Sequence, residues 1–244
     1  MSQEPDYGID APGVVFSLLA LGSVLMIAGL LLFKLAGNNS WHRLGISAAI
    51  TGVICVFEGL LMLLYAKHGK FLHRERMLAM HTWRGDEQVL DVGTGRGLLL
   101  VGAIKKLTSG WGVGIDIWST KDLSGNAMEK TQQNILLEGV QDKVELRSES
   151  ACEMSFPEAS FDVVLSNLCL HNIPDDVGRI LACREIARVL KPGGIALISD
   201  YKNTRDYVRV FRERGLEVSR SGMKLWATFP PLRIVKARKP AKQQ

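Results

Sequence analysis

The feature that most constrains this chain is a run of twenty residues without a charged side chain, residues 14–33. At about 1.5 Å per residue, a helix of this length crosses the ~30 Å hydrocarbon core of a bilayer. The tail before it contains Glu4, Asp6 and Asp10 but no Lys or Arg, whereas a cleavable signal peptide begins with a basic region. The run therefore predicts a retained membrane-spanning helix behind an acidic tail, residues 1–13.

A second apolar run contains one charged residue, Glu58. We place the two spans at about residues 14–34 and 45–66, which form an antiparallel transmembrane hairpin over residues 14–66 because the link between them is short. Glycines recur every seven positions and give each helix a face where backbones can approach closely, either within the chain or in a homo-oligomer. These glycines are Gly22, Gly29, Gly45, Gly52 and Gly59.

Glu58 is unusual because an acid within a span costs ~2.5–3.5 kcal/mol on insertion scales. It is either a functional group, or an acid that is neutral or hydrogen-bonded against the partner helix.

Basic residues predict the orientation of the hairpin. Residues 67–76, KHGKFLHRER, carry four Lys and Arg side chains after the second span, whereas the short loop has Arg43 with Lys34 at its edge. The excess of positive charge predicts an integral membrane protein with two spans, both termini cytoplasmic and the C-terminal domain cytoplasmic. Residues 67–84 are predicted as a basic juxtamembrane helix, which is either interfacial or a capping helix of the next domain.

From residue 85 onward, short apolar runs alternate with amphipathic stretches, a pattern typical of βαβ units and a parallel sheet. The predicted fold class of residues 85–244 is therefore α/β, with two further strands within 217–239 that pair antiparallel and bring the sheet to seven strands. The other predicted strands are 87–93, 112–116, 143–149, 161–167 and 194–200, and the predicted helices are 97–108, 122–138, 175–190 and 204–214.

A glycine-rich loop lies in VLDVGTGRGLL, residues 89–99. In the dinucleotide fingerprint GxGxxG a third glycine would fall where this chain has Leu98. Asp91 ends the strand before the loop, and a carboxylate there repels a pyrophosphate but attracts a cation. S-adenosylmethionine carries an ammonium and a sulfonium and no phosphate, so the electrostatics favour this cofactor.

The second predicted strand ends at Asp116. A carboxylate at that point can accept hydrogen bonds from both hydroxyls of a ribose, in a dinucleotide or in S-adenosylmethionine, so Asp116 indicates a nucleoside without naming it. Ile117 beside it is predicted to lie against the adenine.

Four motifs occur in order: DVGTGRG, the acid of GID, SFDVVLSN and LKPGG. Together they resemble the class I S-adenosylmethionine-dependent methyltransferases, which have a Rossmann-like sheet, over about residues 74–239. The resemblance implies that the methionine end of S-adenosylmethionine lies at Asp91 and the glycines and that Asp116 holds the ribose. The implied cofactor-binding residues are Asp91, Gly93, Thr94, Gly95, Gly97, Asp116, Ile117, Ser150, Ala151 and Asn167.

Ser150 departs from the family pattern. Similar enzymes have an acid here that accepts the adenine amino group, whereas a serine hydroxyl is neutral. Glu149 or the backbone amide of Ala151 is the alternative contact.

Asn167 and His171 are the predicted catalytic residues. Asn167 ends the fourth strand at the edge where ligands of open α/β sheets bind, and the resemblance places it near the methyl-bearing end of the cofactor. His171 is either a general base or substrate contact, or a capping or packing histidine. Cys169 is predicted to pack rather than to act as a nucleophile, because no basic partner is adjacent.

The hairpin suggests the acceptor class, since tethering raises the effective concentration of a membrane-dissolved molecule. A small hydrophobic or lipid-like acceptor is therefore predicted: a lipid, quinone, thiol or phenol. Alternatives are a protein or nucleic-acid methyltransferase localised by the hairpin, and a non-catalytic cofactor-binding scaffold. Aromatic residues that either line the acceptor pocket or belong to the core are Tyr201, Tyr207, Trp226 and Phe229.

Net charge and cysteine spacing indicate which partners and metals to expect. Residues 67–244 contain 28 Lys and Arg against 21 Asp and Glu, a net charge of +7, but no arginine-rich run interleaved with aromatics, so no nucleic acid is expected as partner. The four cysteines form no CxxC pair and no zinc-ligand spacing, so no metal site is expected.

Overall fold

The computed structural model describes residues 4–35, 37, 40–223 and 228–241. The chain divides into two compact units. The helical unit comprises residues 9–69 and 121–124, and the α/β unit comprises the described parts of residues 1–8, 70–120 and 125–244. Residues 4–8, which belong to the predicted acidic tail, are thus part of the α/β unit.

The helical unit consists of α1 (Pro12–Leu35), α2 (Ser40–Leu64) and a π-helical turn (Tyr65–Gly69). All five predicted glycines are buried where α1 packs on α2. A Cβ atom on Gly52 would lie 2.4 Å from the backbone N of Met26, so the two backbones touch at this position. The glycine-lined faces of α1 and α2 therefore contact each other within the chain. They are not free to join two copies in a homo-oligomer, which was the alternative.

Glu58 lies on the exposed side of α2. Of the alternatives for this acid, the one in which it hydrogen-bonds against the partner helix does not hold, because the adjacent Gly59 occupies the buried face instead.

Two helical segments of the described chain are long and apolar enough to cross a membrane, Pro12–Leu35 and Ser40–Leu78, with mean hydropathies of 2.5 and 2.1. Their large apolar side chains point outward, among them Phe16, Leu31, Ile54 and Phe57.

The α/β unit is built on a seven-stranded sheet in the order β3-β2-β1-β4-β5-β7-β6. Strands β1 to β5 pair in parallel, whereas β7 runs antiparallel to both of its neighbours. The predicted seven-stranded sheet with an antiparallel end is confirmed. The strands are β1 (Gln88–Val92), β2 (Trp111–Asp116), β3 (Val144–Ser148), β4 (Phe161–Asn167), β5 (Leu190–Asp200), β6 (Glu217–Arg220) and β7 (Arg233–Arg238).

Helices cover both faces of the sheet because alternate strand residues point to opposite sides. Val89 belongs to a core with α3 and α4, whereas its neighbour Leu90 belongs to a core with α6 and α7. The helices are α3 (Lys70–Leu78), α4 (Leu98–Ile104), α5 (Met128–Leu137), α6 (Asp176–Val189) and α7 (Thr204–Glu213).

Several predicted boundaries are wrong. The helix predicted over 67–84 ends at Leu78, whose carbonyl oxygen accepts a hydrogen bond from Nε1 of Trp83. Because Met77 and Leu78 are fully buried in the α/β core, α3 has the packing role that was the alternative to an interfacial helix. The strand predicted at 194–200 begins at Leu190, which pairs with Phe161 before a shift in register.

Candidate cofactor and acceptor site

Asp91 is buried behind the glycine-rich loop, 1% exposed. Its Oδ2 accepts hydrogen bonds from Oγ1 of Thr94 (2.9 Å) and from the backbone N of Leu100 (3.1 Å). The carboxylate thus ties the loop to the first turn of α4. Burial raises the pKa of Asp91 to about 7, partly opposed by these two hydrogen bonds.

The glycines of the loop are required by its backbone. Gly93, Gly95 and Gly97 all have positive φ, a region that disfavours other residues. At Gly93 a Cβ atom would also lie 2.2 Å from Sγ of Cys169, so the loop after β4 packs directly on the glycine-rich loop. Burial raises the pKa of the Cys169 thiol and keeps it protonated.

Asp116 stands beside the loop at the end of β2. Its Oδ2 accepts from the backbone N of Gly95 (2.7 Å), and its Oδ1 accepts from the backbone N of Trp118 (2.6 Å). Asn126 donates from Nδ2 to the same Oδ1 (3.3 Å), while the buried Oδ1 of Asn126 has no hydrogen-bond partner within the described chain. Asn126 lies in a loop without a motif, so no sequence pattern pointed to it. Ile117 is 72% exposed at the mouth of this region.

Ser150 and Ala151 follow β3 in a turn near the end of β2. The backbone N of Glu149 donates to the carbonyl oxygen of Asp116 (3.1 Å), which brings the turn beside that residue. Ser150 is exposed, and its Oγ accepts from the backbone N of Cys152 (3.2 Å), whereas Ala151 is half-buried. The carboxylate of Glu149 accepts from the backbone N of Ser155.

Asn167 lies at the end of β4 beside a histidine that the sequence analysis did not single out, His73 of α3. His73 is buried, and its Nε2 lies 2.7 Å from Oγ of Ser199 on β5. Burial lowers the pKa of His73 to about 4, while the neighbouring Asn167 raises it, so the imidazole is neutral. Neither Nδ1 of His73 nor Oδ1 of Asn167 has a hydrogen-bond partner of normal geometry among the described residues. The side chains of Asn167 and His73 thus face each other at this edge of the sheet.

His171 lies in a short 3₁₀ turn, Leu170–Asn172, after β4. Its Nδ1 is 2.7 Å from Oδ1 of Asp200, and its backbone N donates to Oδ2 of the same carboxylate (3.1 Å). Asp200 ends β5, is fully buried, and also accepts from the Tyr207 hydroxyl (3.1 Å). Asp200 was not among the predicted site residues, although an acid at the carboxyl end of a predicted strand is a signal that could have found it.

The four aromatic residues that could line the acceptor pocket or belong to the core differ in their burial. Tyr201 is exposed, and its ring meets that of His171 edge-to-face with centroids 4.6 Å apart. Tyr207 belongs to the core, Phe229 is half-buried, and Trp226 lies outside the described residues. In the described chain, no three His, Cys, Asp or Glu side chains gather at metal-binding distance.

The chemistry of this edge fits S-adenosylmethionine. The carboxylate of Asp116 and the amide oxygen of Asn126 are acceptors for ribose hydroxyls, and Asp91 in its ionised form places negative charge behind the loop. The loop's own cation, Arg96, is 7% exposed and bonds the carboxylate of Asp6, so it does not offer a pyrophosphate an open positive charge.

Comparison with known families agrees with this chemistry. A family model described as a methyltransferase domain matches residues 90–198. These residues are a methyltransferase domain. The domain is of class I, and S-adenosylmethionine is its cofactor.

Two relatives illustrate the range of similar proteins. The chain is 32% identical over 128 residues to a 27-O-demethylrifamycin SV methyltransferase from Amycolatopsis mediterranei, covering 52% of this chain and 43% of that protein. It is 32% identical over 123 residues to a demethylmenaquinone methyltransferase from Symbiobacterium thermophilum, covering 50% and 45%. The chain thus spans less than half the length of each of these relatives.

A solved structure shows the same fold. The S-adenosylmethionine-dependent methyltransferase from Aquifex aeolicus superposes with a TM-score of 0.55 at 18% identity, covering 68% of this chain and 88% of that one.

Proposed function

We propose that this chain is a membrane-anchored methyltransferase that transfers a methyl group from S-adenosylmethionine to a small, membrane-dissolved acceptor carrying a hydroxyl or thiol. The observation that carries the proposal is the pairing of His171 with the buried Asp200 beside the cofactor site, 2.7 Å apart. Such a pair suits an acceptor that must lose a proton as it is methylated.

The cofactor contacts follow from the arrangement of the strand ends. Asp91 and the backbone of Gly93, Gly95 and Gly97, with Thr94, would receive the methionine end. Asp116 and Asn126 would accept the ribose hydroxyls, Ile117 would lie against the adenine, and Ser150 and Ala151 would border it. Asn167 would lie near the transferring methyl group, and S-adenosylmethionine supplies that group already activated on its sulfonium.

The chain's own residues then have little covalent chemistry to perform. Holding the reactants in line accounts for up to roughly 7–11 kcal/mol of the barrier in well-aligned systems. Nε2 of His171 is the atom that would take the acceptor's proton, and Asp200 orients the ring and balances the charge that forms on it. The proton then leaves to solvent, and His171 returns to its neutral form.

Membrane attachment is supported by the exposure of the two helices. In the most apolar part of each segment only 17% of residues are buried, whereas the core helix of a soluble protein is mostly buried. Exposed apolar helices of this length suit a lipid environment.

The topology is supported by contacts inside the α/β unit. Nζ of Lys70, after the second helix, donates to the carbonyl oxygens of Tyr7 (2.8 Å) and Gly8 (2.6 Å), before the first. Segments on either side of the hairpin therefore meet, which suits an even number of crossings. Together with the basic residues after the hairpin, this favours two spans with both termini and the catalytic domain in the cytoplasm.

The relatives support a small acceptor. The names of the two proteins above give a rifamycin and a menaquinone precursor as acceptors, and both are small molecules. A quinol or phenol fits both the His171 base and an acceptor that dissolves in the bilayer.

Cofactor binding is the first test. We expect the purified full-length protein in detergent micelles to bind S-adenosylmethionine in titration calorimetry, and Asp116→Ala to weaken binding by roughly tenfold or more, since two backbone donors of the site lose their acceptor. Asp142→Ala, at an exposed acid on the same unit, is the matched control and should bind as the wild type. Absence of binding by the wild-type protein would refute the proposal.

A further inference from the structure

The acidic tail before the first helix is bound to the outside of the cofactor loop. The backbone N of Asp6 donates to Oδ1 of Asn134 (2.9 Å), and the Asp6 carbonyl oxygen accepts from Nδ2 of the same asparagine (2.9 Å). This two-way pairing places Asp6 against α5, where Asn134 is buried.

Asn134 also reaches the glycine-rich loop. Its Nδ2 donates to the backbone oxygen of Arg96 (2.9 Å), which lies between Gly95 and Gly97. One buried amide therefore joins the tail, α5 and the loop.

Arg96 makes a second connection from the loop to the tail. Its Nη1 donates to the carbonyl oxygen of Asp6 (3.1 Å) and to the Asp6 carboxylate. The guanidinium is buried while the Asp6 side chain is largely exposed, so the tail supplies the counter-charge at the surface end of a buried cation. Hydrogen bonding to Gly8 and to Arg96 lowers the pKa of Asp6, which keeps the carboxylate charged at neutral pH.

The tail is also anchored at the residue that follows the last turn of α5. Tyr7 is buried, its hydroxyl donates to Oε1 of Glu138 (2.6 Å), and its ring meets Phe71 edge-to-face. Lys70 holds the two carbonyl oxygens that follow. These contacts dock residues 6–8 firmly enough for Asp6 to act on the loop.

We infer that the tail residues Asp6 and Tyr7 are positioning residues for the cofactor: Tyr7 docks the tail, and Asp6 holds Arg96 and thereby fixes the glycine-rich loop in its binding conformation. The inference rests on the proposed function, since the loop must bind S-adenosylmethionine for its position to matter. A loop of three glycines with positive φ is costly to order, and pre-ordering it removes that cost from binding. Asp6 and Tyr7 do not touch the strand-end edge where the cofactor binds, so their effect falls on affinity and not on the transfer step.

The test compares tail variants of the full-length protein in detergent micelles. Tyr7→Ala should undock the tail and weaken S-adenosylmethionine binding by about tenfold, and Asp6→Asn should weaken it by about threefold. Asp6→Glu should restore most of the affinity, and Glu4→Gln, an exposed acid two residues away, is the matched control that should bind as the wild type. At saturating cofactor the turnover of the tail variants should stay within about twofold of the wild type.

The possible results separate the two proposals. If the wild type binds the cofactor and both tail variants bind it as tightly, the positioning role is overturned while the methyltransferase proposal stands. If the wild type does not bind it, both fail. Because the Asp6 side chain is largely exposed, we expect the Asp6→Asn variant to fold, so it still tests the inference if Tyr7→Ala does not fold. A fall in turnover without a change in cofactor affinity would also overturn the inference.

Discussion

The helical unit and the α/β unit bury opposite kinds of residue. In the helical unit the buried positions of the two long helices are glycines with a single valine, and large side chains such as Phe16 and Phe57 are exposed. In the α/β unit Val, Ile and Leu side chains are buried, and the buried polar groups include Asp91, Asp116 and Asp200 near the strand ends. One unit therefore presents apolar groups to its surroundings, and the other keeps them inside and places polar groups at its site.

This contrast implies that the helical unit serves membrane attachment and the α/β unit serves binding and catalysis. Substitutions in the hairpin should change membrane packing and leave the cofactor affinity unchanged, whereas substitutions at the strand ends should change binding or turnover and leave the hairpin intact.

The largest effect is expected at Asp200. Asp200→Asn removes the charge that orients and balances His171, and we expect turnover to fall on the order of 100-fold while cofactor affinity stays within about twofold. Labelled methyl transfer to a membrane lipid extract measures the first quantity and calorimetry the second. Asp206→Asn, at an exposed acid on α7, is the control. Unchanged turnover in Asp200→Asn, confirmed with His171→Gln, would remove the dyad from the mechanism.

A smaller effect, confined to the hairpin, is expected at Gly52. Even an alanine would place its Cβ 2.4 Å from the backbone N of Met26, so Gly52→Ala should destabilise the hairpin by about 1–3 kcal/mol, seen as a lower Tm in micelles. Gly13→Ala is the matched control, because nothing lies within 4 Å of its added Cβ. If Gly52→Ala weakened cofactor binding with no change in Tm, the two units would not be separable.

Both the stability of the protein and its affinity for the cofactor are expected to depend on pH through Asp91. Burial raises the pKa of this residue to about 7, so the folded state favours the protonated form. The contribution of this preference to the free energy of unfolding is complete below about pH 4 and is lost as the pH rises through 7. The cationic cofactor favours the ionised form, and its affinity should therefore increase roughly tenfold from pH 6 to pH 8. Calorimetry at the two pH values measures this increase. The Asp91→Asn variant should lose the dependence, and a variant that kept it would place the titrating group elsewhere.

The smallest effect is expected at Glu58. Because this acid is exposed on α2 and lies in the hairpin, Glu58→Gln should leave cofactor affinity and methyl transfer within about twofold of the wild type. The same two assays measure it. A loss of more than tenfold would give Glu58 a functional role and join the two regions.

Local patterns predicted much of this molecule. The spacing around Asp91 and the glycines, and the alternation of strands and helices, predicted the sheet and the position of the cofactor loop, because these depend on short segments. The recurring glycines predicted close helix packing, and the contacts of Gly29 with Ala49 and of Gly52 with Met26 show that the packing is within the chain.

What the sequence did not predict depends on residues far apart in the chain. Asp200 is 29 residues from His171, and Asp6 is 90 residues from Arg96, and no spacing rule connects either pair. In the sequence the tail is therefore only an acidic segment, and His73 is one residue of a basic region. The fold places Asp6 beside Arg96 and His73 beside Ser199.

The proposed acceptor of the methyl group is a molecule dissolved in the membrane. Membranes containing the wild-type protein should be incubated with S-adenosylmethionine labelled in its methyl group and then separated into an organic extract, a protein precipitate and a nucleic-acid fraction, with Asp116→Ala membranes as the blank. We expect label in the organic extract, dependent on Asp116. Label confined to the protein or nucleic-acid fraction would contradict it.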